Sequence, residues 1–257
     1  MDNPTTIRIA MWSGPRNIST AMMRSWGNRP DTAVVDEPFY AFYLRRTGRN
    51  HPGSMEIIAG SEPDVHKIVQ DLTGPVPGDR CIFYQKQMTH HLLPEVDRKW
   101  LGTVTNCFLI RDPAEVITSY IKKNPDPTLE DLGFVQQAEI FDWVVGTSRR
   151  DIRGSGSCWT PSLPVVIDAK DVLQNPERML RLLCTAVDVE FNDAMLSWPP
   201  GLRETDGIWA KYWYDEVARS TSFQPYQPKN EPVPDRLREI HERCHECYER
   251  LYAQRLR

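Results

Sequence analysis

Residues Ile7 to Arg24 read IRIAMWSGPRNISTAMMR. The segment opens with the apolar, β-prone run Ile9-Ala10-Met11-Trp12, turns at Ser13-Gly14-Pro15 and continues as Asn17-Ile18-Ser19-Thr20-Ala21-Met22-Met23. That order predicts a strand, a tight loop and a helix. Such a junction aims backbone N–H groups and the positive end of a helix dipole at one point, which suits a bound phosphate or sulfate. Arg16 adds a fixed charge and a planar fork of donors, and Ser19 and Thr20 add hydroxyls. The loop is not a Walker A sequence. Ile18-Ser19-Thr20 stands where that pattern has Gly-Lys-Ser/Thr, so the lysine that reaches the terminal phosphates of a nucleoside triphosphate is missing. Taken alone, the stretch also fits an ordinary strand–turn–helix joint that binds nothing.

Outward from this unit the pattern repeats. The turn cluster Asn28-Arg29-Pro30-Asp31 closes the helix, and Thr32–Asp36 reads as a second strand. Residues 42–80 are polar and rich in turn formers, an excursion with one short helix around Val65–Leu72. Cys81–Gln85 and Val104–Ile110 read as the third and fourth strands. Asp112-Pro113 has the form of an N-cap followed by proline at the first helical position. A longer helix is expected over Leu129–Arg150, a fifth strand over Pro164–Ile167 and a helix opened by Asn175-Pro176. Glu204–Ala218 reads as an aromatic-rich helix. In Pro234–Leu256 the residues Leu237, Ile240, Cys244, Tyr248, Leu251 and Tyr252 form one apolar stripe. Strands alternating with helices predict a three-layer α/β fold, a parallel sheet of about five strands with helices on both faces. The 257 residues read as a single domain, with 42–80 and 199–233 shaping a pocket.

Composition narrows the function classes. A net charge of −4 argues against a general nucleic-acid binder, while leaving room for a local basic pocket. No apolar run approaches the roughly 18 residues of a membrane span. The N-terminal MDNPTTIR has an acid at position 2 and no apolar signal region. Cys81, Cys107 and Cys184 fall in apolar segments and read as small buried hydrophobes, whereas Cys158 stands apart. These features predict a reduced, cytoplasmic protein without a membrane or nucleic-acid partner. His241, Cys244, His245 and Cys247 have a metal-like spacing, but Cys244 falls on the apolar stripe, so no metal is expected.

Ligands of parallel α/β sheets collect beyond the C-terminal ends of the strands. Arg16 follows the first strand, Glu37 the second, Lys86 the third and Arg111 the fourth. Glu37, in Asp36-Glu37-Pro38-Phe39-Tyr40, is a candidate proton acceptor. Strand alternation would turn the adjacent Asp36 to the opposite side. Lys86 is followed by His90 and His91, and Arg111 by Ser119 eight positions on. For Arg111 the competing role is an ion pair with Asp112 or Glu115.

These features together resemble the sulfotransferases that use 3'-phosphoadenosine-5'-phosphosulfate (PAPS), over about Ile7 to Phe223. The resemblance implies a P-loop NTPase-like fold. It implies that Gly14, Pro15, Arg16, Asn17, Ile18, Ser19 and Thr20 hold the 5'-phosphosulfate, with Ile18 where the family usually has glycine. LIRDPAEVITSY is similar to the family's 3'-phosphate motif, which would make Arg111 and Ser119 the 3'-phosphate ligands. Glu37 would be the base and Lys86 the group that neutralises charge on the transferred oxygens. One branch carries a His base two residues after the Lys. Met88 stands there, so His90 or His91 is the assistant or substitute. Ser222-Phe223 resembles a segment near the adenine, although a core role for Phe223 is favoured. The acceptor is a small molecule that the sequence does not specify, and the oligomeric state is equally open. The rival readings are a divergent P-loop small-molecule kinase using Mg-ATP, or a non-catalytic nucleotide-binding protein.

Overall fold

Five parallel strands form the centre of the computed structural model, which describes residues 6–151 and 164–257. The expectations for Cys158 and for residues 1–5 lie outside the described residues. The strands are β1 (Ile7–Ser13), β2 (Thr32–Asp36), β3 (Ile82–Met88), β4 (Thr105–Ile110) and β5 (Val165–Asp168). They lie in the order β2-β3-β1-β4-β5. β1 is therefore central, with Met11 in register with Lys86 on one side and Cys107 on the other. The chain leaves β1 toward one edge and later returns to its other side. The loop after β1 thus sits where the two halves of the sheet diverge, the usual place for a ligand.

Helices cover both faces. α1 (Ser19–Gly27) joins β1 to β2, and α2 (Tyr40–Thr47), α3 (Ser54–Gly60) and α4 (Val65–Thr73) lie between β2 and β3. α5 (Pro113–Tyr120), α6 (Leu129–Leu132) and α7 (Phe134–Asp151) lead to β5. α8 (Ala169–Gln174), α9 (Pro176–Ala186), α10 (Ala210–Trp213), α11 (Asp215–Arg219) and α12 (Arg238–Tyr252) follow it. Alternation along β1 sorts the two cores. Ile9 and Met11 pack with Met22 and Trp26 of α1 and Leu180 and Leu183 of α9, whereas Ala10 and Trp12 pack with Ile140 of α7 and Leu251 of α12. The last helix buries Cys244, Tyr248 and Leu251, as its stripe predicts.

Several element boundaries depart from the sequence reading for identifiable reasons. β3 runs on through Lys86 to Met88, so Lys86 lies inside the strand rather than after it. The excursion holds three helices, not one: α2 and α3 are short and were masked by polar and turn-forming residues. The helix expected over Leu129–Arg150 breaks at Gly133, which has φ 73°. A Cβ at Gly133 would stand 2.6 Å from Thr89 Oγ1, whose hydroxyl donates to the Gly133 carbonyl. The single helix expected over Glu204–Ala218 is instead a turn and the short helices α10 and α11. Two anchored side chains divide it. Tyr214 is held in the sheet edge, and Asp206 accepts from the Arg203 N–H and from Arg24.

The Arg24–Asp206 pair clamps this segment to α1. The guanidinium meets the carboxylate at 2.5 and 2.6 Å, and the two side chains are 1% and 2% exposed. Removing one partner of such a pair leaves an uncompensated buried charge. Asp206→Ala is expected to lower unfolding free energy by about 3–5 kcal/mol, measured by urea denaturation, where an exposed ion pair gives under about 1 kcal/mol.

Candidate functional site

The loop after β1 is tied down from three directions. Asn17 Nδ2 donates to the Leu109 carbonyl at 3.0 Å, and its Oδ1 accepts from the Ile18 N–H at 2.8 Å. Arg111 Nη1 donates to the Arg16 carbonyl at 2.8 Å, and Arg16 Nε donates to Ser119 Oγ at 2.9 Å. Arg16 itself has φ 55°, a left-handed conformation that non-glycine residues adopt rarely and that concentrates at functional sites. Arg111 also pairs with Glu115 at 2.9 Å, so the competing ion-pair role is realised alongside the loop contact.

The start of α1 behaves as an anion cradle should. Its N-cap position, Ile18, supplies no side-chain cap, and the first turn carries no acid. α5, α8 and α9 are capped by Asp112, Asp168 and Asn175, while α2, α3 and α12 share the lack of a side-chain cap with α1. The first amides of α1 have no intrahelical acceptor and open, with Ser19 and Thr20, onto a cavity of about 760 Å³. Arg16, Arg111 and Lys229 surround that end of it; Lys229 comes from the long loop after Phe223 and was not singled out in the sequence. Burial and then the neighbouring Arg111 charge hold its ammonium below the usual lysine range. Gly14 does not line the cavity. Its missing side chain admits the Leu132 carbonyl, which a Cβ there would meet at 2.8 Å. Phe223 packs edge-on against Trp198 in the core, as favoured from sequence.

Beyond the cradle the same cavity reaches Glu37 and Lys86. The Lys86 side chain is 1% exposed. Its ammonium donates to Asp36 Oδ1 at 2.8 Å, to Tyr214 Oη at 2.7 Å and to Glu37 Oε1. Asp36 therefore does not face away from Glu37. Glu37 has φ 41°, which breaks the strand alternation and turns both carboxylates toward one lysine. Asp36 also accepts from Tyr214 Oη at 2.7 Å and from the Gly207 N–H at 3.1 Å. Burial pulls the Lys86 pKa down, but the Asp36 and Glu37 charges outweigh it and leave the ammonium well above its ordinary value. Burial raises the Glu37 carboxyl above the usual carboxylate range; Lys86 opposes the shift and Asp36 adds to it. Asp36, Tyr214 and Lys229 are residues of this cavity and its cluster to which sequence reasoning gave no site role, and alternation misplaced the first.

The two histidines diverge. The His91 ring is stacked between Tyr40 and Tyr43, at 4.6 and 4.7 Å, with Nδ1 3.8 Å from Glu37 Oε2. His90, its neighbour in the wall, instead approaches Gly133. Both Nδ1 atoms are buried without a hydrogen-bond partner. Burial first, then neighbouring rings, hold His91 well below the usual histidine range and His90 at about 3. Both are neutral at neutral pH, and His91 is the one whose ring lies beside Glu37. Among the described residues no cluster of three or more His, Cys, Asp or Glu side chains is placed to hold a metal, and no helix is long and apolar enough to cross a membrane.

A P-loop-like fold thus opens an uncapped helix start at the sheet's divergence onto the same cavity as a buried lysine–carboxylate cluster. The sulfotransferase-domain family model matches residues 7–246, and the chain belongs to the sulfotransferase family. Two curated relatives come from Arabidopsis thaliana. Branched-chain-amino-acid aminotransferase-like protein 2 is 30% identical over 240 residues, 93% of this chain and 40% of its own length. Branched-chain-amino-acid aminotransferase-like protein 1 is 33% identical over 224 residues, 87% of this chain and 37% of its own length. The chain thus spans under half of the relatives it matches. Two solved structures share the fold. The sulfotransferase domain of the Synechococcus PCC 7002 olefin synthase has TM-score 0.57 and 16% identity, over 100% of this chain and 98% of that one. The sulfotransferase domain from the curacin biosynthetic pathway has TM-score 0.53 and 14% identity, over 93% and 98%.

The neutral histidines give a stability test. Unfolded, each titrates near 6.5; folded, His90 titrates at about 3. Between those values the unfolded chain binds more protons, so stability falls as pH drops. Each buried neutral histidine contributes a slope of about 1.4 kcal/mol per pH unit below its unfolded pKa. His90→Gln is expected to remove one such increment between about pH 6 and pH 5, read from urea midpoints against pH; an unchanged slope contradicts the assignment.

Proposed function

We propose that the chain transfers a sulfuryl group from PAPS to a hydroxyl or amine of a small-molecule acceptor. The observation that carries this reading is one cavity joining an uncapped helix start, ringed by Arg16, Arg111, Ser119 and Lys229, to the Glu37–Lys86 pair. PAPS is a substrate that brings phosphates at both ends of its ribose and an activated sulfuryl group. The residues present suit it. The amides of the Pro15–Thr20 loop with Ser19 and Thr20 suit the 5' end. Arg16, Arg111, Ser119 and Lys229 supply the charge and hydroxyl for the 3'-phosphate.

In the reaction Glu37 accepts the acceptor's proton while the acceptor oxygen or nitrogen bonds to sulfur. The bond between sulfur and the bridging phosphate oxygen breaks, and its electron pair leaves on 3'-phosphoadenosine 5'-phosphate (PAP). Lys86 stabilises charge on the transferred oxygens. A sulfuryl group carries less charge than a γ-phosphoryl group, which fits a cradle without the Walker lysine. α2, the loop after it and the segment 199–233 bring Tyr40, His51 and Trp213 to the acceptor side, an aromatic wall with the Lys123 ammonium over the Trp213 ring. The reading includes a reducing, cytoplasmic setting, supported by the buried free thiols of Cys107, Cys184 and Cys244.

Calorimetry should show PAP bound in clear preference to 5'-AMP and Mg-ATP. Arg111→Ala should weaken PAP by about 10- to 100-fold, the range for losing a hydrogen bond to a charged group. Preference for Mg-ATP, or PAP affinity unchanged in Arg111→Ala, contradicts the donor assignment. Once an acceptor is found by screening with PAPS, Glu37→Gln should lower kcat by about 10²–10⁴ with PAP affinity kept.

A further inference from the structure

A lysine ammonium has three N–H donors, and Lys86 spends all three inside the protein, on Asp36, Tyr214 and Glu37. As it stands, no donor is left for a transferred sulfuryl oxygen, and Glu37, held by the ammonium, is a poor proton acceptor. One of the three partners must yield before either side chain can act.

The surroundings decide which. Asp36 is 1% exposed and is also bound by the Tyr214 hydroxyl and by the Gly207 N–H. Tyr214 is itself buried; it donates to Asp36 and accepts from Trp209 Nε1 at 3.3 Å. Its segment is locked to α1 through the buried Arg24–Asp206 fork. Glu37 is 12% exposed and faces the cavity, and its carboxylate is held chiefly by the Lys86 ammonium, with the Tyr214 hydroxyl as a lesser partner. Its second oxygen lies 3.8 Å from the unpartnered His91 Nδ1, a place to which the carboxylate can move. We propose that Asp36 and Tyr214 are permanent positioning residues of Lys86, and that Glu37 is its exchangeable partner, displaced when the donor's sulfuryl oxygen takes that third N–H. Binding of the donor would then release the base and load the cation in a single exchange.

The inference rests on the PAPS reading and has its own signature. Glu37 is faced by Asp36 from β2, Lys86 from β3, His91 from the turn after it, Tyr40 from α2 and Tyr214 from the C-terminal segment. On exchange it loses its direct cation and gains a negative neighbour, while the others stay. Its carboxyl then takes up protons more readily.

The test is calorimetry with PAPS and with PAP, without acceptor, near pH 6.5 in buffers of different ionisation enthalpy. Wild type is expected to take up a fraction of a proton on PAPS binding that Glu37→Gln does not. With PAP, which lacks the sulfuryl group, the two proteins should show the same proton stoichiometry. Tyr214→Phe keeps the ring but leaves Lys86 a spare N–H, so the sulfuryl oxygen no longer needs to displace Glu37, and the extra uptake should be lost. A purely structural role for Tyr214 would leave that uptake intact. Equal uptake of protons with PAPS in wild type and Glu37→Gln, or full uptake in Tyr214→Phe, overturns the exchange while the donor site stands. Failure of both PAP and PAPS to bind removes the donor reading and this inference together.

Discussion

A lysine ammonium buried beneath the C-terminal edge of the sheet is the constraint on which this site depends. An isolated charge there is costly, and the protein meets that cost by collecting partners from two distant parts of the chain. Asp36 and Glu37 come from the end of β2, Lys86 from β3, and Tyr214 from a segment that follows the whole sheet. Parallel pairing sets Asp36 directly beside Lys86, and the left-handed backbone at Glu37 brings the second carboxylate to the same ammonium. The aromatic C-terminal segment then closes over the cluster, held at a distance by the Arg24–Asp206 fork. The geometry of the cluster and the tertiary closure are thus built from the same contacts.

The donor side follows a different logic. There the charges are fixed by arginine and the amide donors at the start of α1 are left open. Arg111 holds the Arg16 carbonyl, Arg16 holds Ser119, and Asn17 holds the loop to β4, so the loop is shaped before any anion arrives. The start of α1 has neither a side-chain cap nor an acid in its first turn. A preorganised cradle costs little reorganisation when it is filled, which is where such sites gain their strength.

Much of this was legible in the sequence because it is local. The strand–loop–helix of Ile7–Arg24, the five strands and the proline-started helix after Arg111 are each written in a short run of residues. The family match over 7–246 agrees with the resemblance read from the SGPRNIST and LIRDPAEVITSY stretches. What escaped is what depends on contacts between distant residues or on an unusual backbone angle. Asp36 was misplaced because Glu37 leaves the strand conformation. Tyr214 looked like one aromatic among several because its partner lies 128 positions away. The break at Gly133 is dictated by the close approach of Thr89, which no local propensity encodes.

A crystal structure of the chain with PAP bound tests the central claim most directly. The account predicts the 5'-phosphate on the amides of the Ser19–Thr20 turn, the 3'-phosphate within hydrogen-bond distance of Arg111 and Ser119, and Lys86 still held by Asp36 and Tyr214 at the far end of the same cavity. A 3'-phosphate in solvent, or PAP seated away from the loop after β1, would contradict it.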